Sequence, residues 1–204
     1  MIYQKNHKML TKIQAEIMKV FVSNISEKFS INQVSKMIKK PYALVHRSIQ
    51  ELIKNRYVIR DKQKYLSLNY KENIPELSYI ESLKRKELLK ENKSLILFSQ
   101  DIIKKVKEDL FILLIFGSYV KKVKNPRDID VLFIVKEDIE KYEKLLTNVA
   151  SYFSFKFDIN VISLESAYEM LNQRDKPNIM NETLNNHILI FGAENYYNIL
   201  KNAR

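Results

Sequence analysis

Phe111-Ile112-Leu113-Leu114-Ile115-Phe116 runs without a polar break into Gly117-Ser118, and after nine intervening residues comes Asp128-Ile129-Asp130. The apolar run predicts a buried strand, and the segment 128–135 a second one. The 204-residue chain holds only two glycines, against an average of about 7% in soluble proteins. Gly117 therefore answers a backbone demand that no side chain can meet. Strand alternation puts Asp128 and Asp130 on one face, with Ile129 and Val131 on the other. Two such close carboxylates repel each other and resist burial unless something compensates them. A hard divalent cation, Mg²⁺ or Mn²⁺, does so through oxygen ligands.

A third strand is expected over 155–163, where Asp158 is a single acid among Phe155, Phe157, Ile159 and Val161. If this strand neighbours the second, the same cation compensates Asp158. Gly117 and Ser118 are expected to open a short helix with free backbone N–H groups and a hydroxyl, which suits a phosphate. Helices are expected over 137–151, 164–172 and 179–186, a strand over 188–191, and a short helix from Gly192 to about Leu200.

The net charge of +11 is unevenly placed. Residues 1–70 carry 14 Lys+Arg against 4 Asp+Glu, a net of +10; residues 71–204 carry 21 against 20, a net of +1. A lysine-rich composition alone does not explain such one-sidedness. It points to a nucleic-acid-binding module joined to a nearly neutral one. There are no cysteines, hence no disulfide framework and no thiolate metal site. Neither a membrane-length apolar stretch nor a signal peptide is visible, so a cytoplasmic protein without membrane contact is expected.

The basic third has helical apolar spacing over 9–22 (Ile13, Ile17, Val20, Phe21), a short extended piece at 29–31, and a second helix from Asn32 to about Ile38. Pro41 breaks that helix and suits the first turn of a third, which runs to about Asn55 on Val45, Ile49, Leu52 and Ile53. Residues 57–60 and 65–68 flank a polar turn and read as a β-hairpin. Three helices, a short strand and a closing hairpin resemble the winged helix-turn-helix family across residues 9–69. By that resemblance the third helix presents Tyr42, His46, Arg47 and Gln50 to the major groove of DNA, with Lys54 and Arg56 at its end and Lys62 and Lys64 on the wing. Winged helices also serve as protein-interaction modules.

Residues 71–92 form a helical connector, with Leu77, Ile80, Leu83, Leu88 and Leu89 on one side and Lys84-Arg85-Lys86 expected as a solvated basic run. A further helix is expected over 93–108. His7, His46 and His187 are scattered without metal-ligand spacing and are assigned no catalytic role. Tyr196-Tyr197 is expected to pack rather than to stack on a base. There is no Walker loop, which excludes a P-loop kinase or ATPase.

Gly117-Ser118, nine residues, Asp128-Ile129-Asp130 and a later strand acid, Asp158, resemble the nucleotidyltransferase superfamily that shares the DNA polymerase β palm, most of all its small archaeal and bacterial members. The match covers about residues 93–200, including the tail His187-Ile188-Leu189-Ile190-Phe191-Gly192. The resemblance implies an α+β chain, with a winged helix-turn-helix domain over 1–70, a connector over 71–92 and a mixed-sheet nucleotidyltransferase domain over 93–204. It implies catalytic and metal-holding roles for Asp128, Asp130 and Asp158, and transfer of a nucleoside monophosphate from an NTP (such as ATP) to a hydroxyl on RNA, protein or a small molecule. Gly117 and Ser118 would hold the triphosphate. The chain departs from the family in lacking a further glycine over 119–124 and in having Arg127 where a serine is common; Lys121 and Arg127 are expected to add charge for the triphosphate. The resemblance further implies a toxin–antitoxin partner, and the winged helix a homodimer. The alternative is a DNA-binding transcriptional regulator whose second domain senses nucleotide or has lost activity.

Overall fold

The structure is a computed structural model that describes residues 10–121, 123 and 126–203. Helix α1 (Lys12–Val22) opens on a reciprocal cap: the Thr11 hydroxyl accepts from the Gln14 amide, and the Gln14 side-chain oxygen accepts from the Thr11 amide. Such a box satisfies donors that a first helical turn leaves unpaired. Ser30 and Gln33 repeat it at α2 (Ile31–Ile38). That helix stops where Lys39 takes the left-handed conformation (φ 53°). Pro41 then stands just before α3 (Tyr42–Lys54) rather than inside its first turn.

Strands β1 (Val58–Arg60) and β2 (Leu66–Leu68) pair antiparallel with Val58 opposite Leu68. Phe29 adds a bridge to Leu66 from the outer side. Helices α4 (Ile74–Glu91) and α5 (Lys93–Lys105) meet at Asn92, whose side-chain oxygen accepts from the Leu95 amide and caps α5. The second of these ends three residues earlier than the apolar spacing predicts.

The remainder is built on four strands: β3 (Phe111–Phe116), β4 (Ile129–Val135), β5 (Phe157–Ser163) and β6 (Ile188–Phe191). Their order is β5-β4-β3-β6, with β3 antiparallel to both β4 and β6, and β4 parallel to β5. Between them lie α6 (Gly117–Val120), α7 (Ile139–Ala150), α8 (Leu164–Asn172) and α9 (Ile179–Thr183), and α10 (Ala193–Asn202) follows. The chain is α+β with a mixed sheet. Among the described residues no helix is long and apolar enough to cross a membrane.

Strand alternation divides the sheet between two cores. Phe111, Leu113, Ile115, Val131, Phe133 and Val135 face Leu95, Phe98 and Ile102 of α5 and Tyr142, Leu146 and Val149 of α7. Ile112, Leu114, Leu132 and Ile134 face the other way, into a core that includes Tyr196 and Leu200 of α10 and continues to Ile17, Phe21, Val45, Ile49 and Leu66. The packing therefore runs across the expected boundaries at 70 and 92. A backbone seam joins the halves as well: Ile25 N donates to Leu184 O (2.9 Å), and Asn186 N donates to Ser23 O (2.7 Å).

Lys84-Arg85-Lys86 is not a solvated run. Lys84 is buried and Arg85 donates to Ile190 O (2.6 Å), leaving only Lys86 exposed. Lys84 Nζ lies 3.0 Å from Oε2 of the fully buried Glu81 and donates to His187 O (2.9 Å). The other oxygen, Oε1, accepts from Tyr197 OH (2.9 Å) and lies 3.2 Å from His187 Nε2. Burial pushes the Glu81 pKa up, but the Lys84 charge, the neighbouring His187 and their hydrogen bonds outweigh it and hold it at about 2. Burial pushes the Lys84 pKa down against the pull of Glu81. This ionic core ties α4 to β6 and α10. Tyr196 and Tyr197 pack as expected, and Tyr196 OH donates to Thr183 O (3.0 Å).

Candidate active site at the end of the mixed sheet

Strand β3 ends where β4 and β5 begin, so the register brings the expected residues to one end of the sheet. Phe116 pairs with Asp130, and Asp130 pairs with Asp158. Asp128 stands just before β4 instead of within it. Gly117 turns the chain from β3 into α6 with φ at 72°. A Cβ on Gly117 would lie 2.7 Å from Asp130 Cγ and would overlap a carboxylate oxygen. Glycine is needed here twice over, for its positive φ and for the close approach of Asp130.

Asp130 is partly buried, and its pKa is raised first by burial, then by the negative charges of Asp128 and Asp158. The Ser118 backbone N–H opposes that rise by bonding the Asp130 carboxylate. The Ser118 amide is thus directed toward the acid. Asp158 is exposed, and Asp128 is partly covered, with Lys156 Nζ 3.9 Å from its Oδ2. Lys121 and Arg127 are exposed at either end of the segment that joins α6 to β4; Lys122, Lys124 and Asn125 lie outside the described residues.

The acids are hard oxygen donors, and Asp130 carries the repulsion of its two neighbours, so a divalent cation fits the charge and donor chemistry here. The fit is one of charge and donor type: among the described residues no three His, Asp or Glu side chains close into a group that could hold a metal.

A cleft of about 570 Å³ opens beside α6, between α4, β6 and the end of α1. Tyr119 and Val120 of α6, Ile188 of β6, and Ser23 and Asn186 of the backbone seam line it. Sequence reasoning missed both this cleft and the ionic core beneath it. A signal existed for the core, because Leu77, Ile80, Glu81 and Lys84 share one helical face. Two charged residues continuing an apolar stripe mark a buried pair.

On the N-terminal half, Tyr42, His46, Arg47, Lys54, Arg56, Lys62 and Lys64 are all exposed. Tyr42 and His46 stack with ring centroids 5.9 Å apart, and Gln50 Nε2 lies 3.5 Å from His46 Nε2. These three make one stripe along α3 at a spacing of four residues. Lys62 and Lys64 sit in the β1–β2 turn, where Lys64 has φ 68°. Arg56 is already paired with Glu72 at 2.7 Å.

A family model described as a family of unknown function, DUF6932, matches residues 40–187. No curated protein matches the chain. Among solved structures, one described as the crystal structure of Pseudomonas aeruginosa HmgR aligns at 18% identity and a TM-score of 0.29, covering 59% of this chain and 45% of that one.

Proposed function

The chain belongs to the family of unknown function DUF6932, and we propose that it is a metal-dependent nucleotidyltransferase of the polymerase β type carried behind a DNA-binding winged helix. The observation that carries this is the meeting of Gly117, Ser118, Asp128, Asp130 and Asp158 at one end of the sheet, with the charges of Asp128 and Asp158 both felt at Asp130.

In this reading Asp128, Asp130 and Asp158 hold Mg²⁺ or Mn²⁺, which when bound supplies positive charge for the triphosphate and lowers the pKa of an acceptor hydroxyl. The Ser118 hydroxyl and the exposed Lys121 and Arg127 bind the triphosphate of an NTP. The acceptor oxygen forms a bond to the α-phosphorus while the bond to the β-phosphate oxygen breaks. Pyrophosphate leaves, and Asp158 receives the acceptor proton. The Ser118 N–H and Gly117 keep Asp130 in one orientation, so the acids need little reorganisation during the reaction. Helices α1–α3 with the β1–β2 hairpin are read as the winged helix, supported by the exposed Tyr42–His46–Gln50 stripe and by the net +10 of residues 1–70.

A second reading, a regulator whose sheet domain senses nucleotide without turnover, is favoured by Lys156, a protein cation 3.9 Å from Asp128. Calorimetric titration of each NTP, with and without Mg²⁺, tests the first reading on the natural chain and on Asp128→Asn/Asp130→Asn. Metal-dependent binding lost in the double variant is the expected result. No binding of any NTP by folded protein would remove both readings of the sheet domain and leave the DNA-binding module.

A further inference from the structure

We infer that the cleft between α1, α4, α6 and β6 takes the nucleoside part of the nucleotide, and that Ser23 and Asn186 read its base. This rests on the nucleotidyltransferase reading above. Tyr119 and Val120 follow Ser118 along α6 and line the cleft, and Val123, which lines it too, donates its backbone N–H to Ser118 O (3.2 Å). Its volume of about 570 Å³ lies within the range of about 300–1,000 Å³ usual for small-molecule sites.

The charge on the walls suits a nucleoside rather than a further phosphate. The two charged residues that line the cleft are each neutralised by a partner: Lys84 by Glu81, and Glu87 by Lys19. Val120 and Ile188 provide apolar surface, and the Tyr119 ring is held in place because its hydroxyl accepts from Asn92 Nδ2 (2.8 Å). Beside the buried His187, the cleft wall carries the Ser23 hydroxyl and the Asn186 amide, both on partly exposed residues. Both are fixed through their backbones: Asn186 N donates to Ser23 O (2.7 Å), and Asn186 takes the left-handed conformation (φ 54°). An amide carries one acceptor and two donors, which matches the adjacent donor and acceptor atoms on a base edge. A preorganised polar pair within a largely apolar cleft is what base selection requires. Ser23 closes α1, so a bound nucleoside touches the N-terminal half and the sheet at once.

The test is calorimetry on the full chain with ATP, GTP, CTP, UTP and inorganic tripolyphosphate, all with Mg²⁺. Two variants are compared with the natural chain. Asn186→Asp keeps the size and tolerates the left-handed backbone, while Val123→Trp narrows the mouth from a residue that is 51% exposed. The natural chain should bind one NTP about tenfold more tightly than the other bases and than tripolyphosphate. Both variants should lose that preference and keep their affinity for tripolyphosphate. Unchanged base ranking in both variants, or NTPs no tighter than tripolyphosphate in the natural chain, overturns the cleft assignment and leaves the acid site standing. Failure of tripolyphosphate and every NTP to bind overturns the underlying reading together with the cleft.

Discussion

Gly117 and Asp130 share a space in which only a hydrogen fits: a Cβ on Gly117 would lie 2.7 Å from Asp130 Cγ. The Phe116–Asp130 pairing between β3 and β4 forces this approach, and the Ser118 amide is directed toward the same carboxylate. The turn and the acid are thus one unit, and perturbing either is expected to disturb both.

Gly117→Ala should destabilise the chain by about 1–3 kcal/mol, since the side chain meets both an unfavourable φ and the carboxylate. In an Asp130→Ala background the clash with the carboxylate disappears, leaving the φ part and a close approach to the residue 130 Cβ (3.3 Å). Chemical denaturation of the four members of this cycle should therefore show a smaller cost for Gly117→Ala in that background. Equal costs in both backgrounds would mean that Asp130 does not crowd the turn.

Asp130→Asn should separate stability from function. The Asp130 pKa is raised in the folded state, so its stabilising contribution is full below the unfolded pKa and is lost as pH rises through the folded value. Near neutrality its ionised form works against folding. The amide removes that repulsion, so Tm at pH 7 should hold or rise while metal-dependent NTP binding disappears. A fall in Tm would show that the Ser118 bond outweighs the repulsion.

Removing the charge of Glu81 should be costly. Glu81→Ala leaves Lys84 buried without its counter-ion and Tyr197 without an acceptor, and loss of one member of a buried pair typically costs about 3–5 kcal/mol. Glu81→Leu/Lys84→Met removes both charges and should recover part of that loss. Urea unfolding of the natural chain and these two variants decides whether the ionic core acts as a coupled pair.

His187 should contribute to acid sensitivity. Burial lowers its pKa, the Lys84 charge lowers it further, and Glu81 together with the Thr183 carbonyl opposes the shift. With its pKa lowered in the folded state, His187 takes up a proton more readily in the unfolded chain as pH falls through about 6.5. Stability should fall as pH drops through that region. Glu81, held at about 2, adds a second loss below its unfolded value near 4.3. His187→Gln should flatten the first of these slopes in a series of melts from pH 7.5 to 5, and an unchanged slope would assign the sensitivity elsewhere.

Salt dependence should separate the residues of the basic face. Each phosphate contact removed lowers the slope of log K against log salt by about 0.9 for duplex DNA. Lys62→Ala/Lys64→Ala should therefore reduce it by nearly two, whereas Arg56→Ala should change it little because Glu72 already pairs with that guanidinium. Fluorescence anisotropy with a nonspecific duplex between 50 and 200 mM salt reads these differences.

Much of the fold is legible in the sequence because it is locally encoded. The Thr11–Gln14 and Ser30–Gln33 caps, the apolar run of β3 and the spacing of Val45, Ile49 and Leu52 act within a few residues of themselves. The identity of the candidate acids is local too, as two carboxylates separated by one residue at the mouth of an apolar strand. What the tertiary structure alone decided is which distant groups meet. The pairing of Asp130 with Asp158 depends on the β4–β5 register, and the cleft depends on Asn186 reaching Ser23. Lys84 and Arg85 look like part of a solvated run in the sequence, yet the carbonyls they donate to lie 103 and 105 residues away, and Tyr197 reaches Glu81 across 116. Periodicity and propensity describe one segment at a time, whereas burial of a charge is settled by the segment that packs over it.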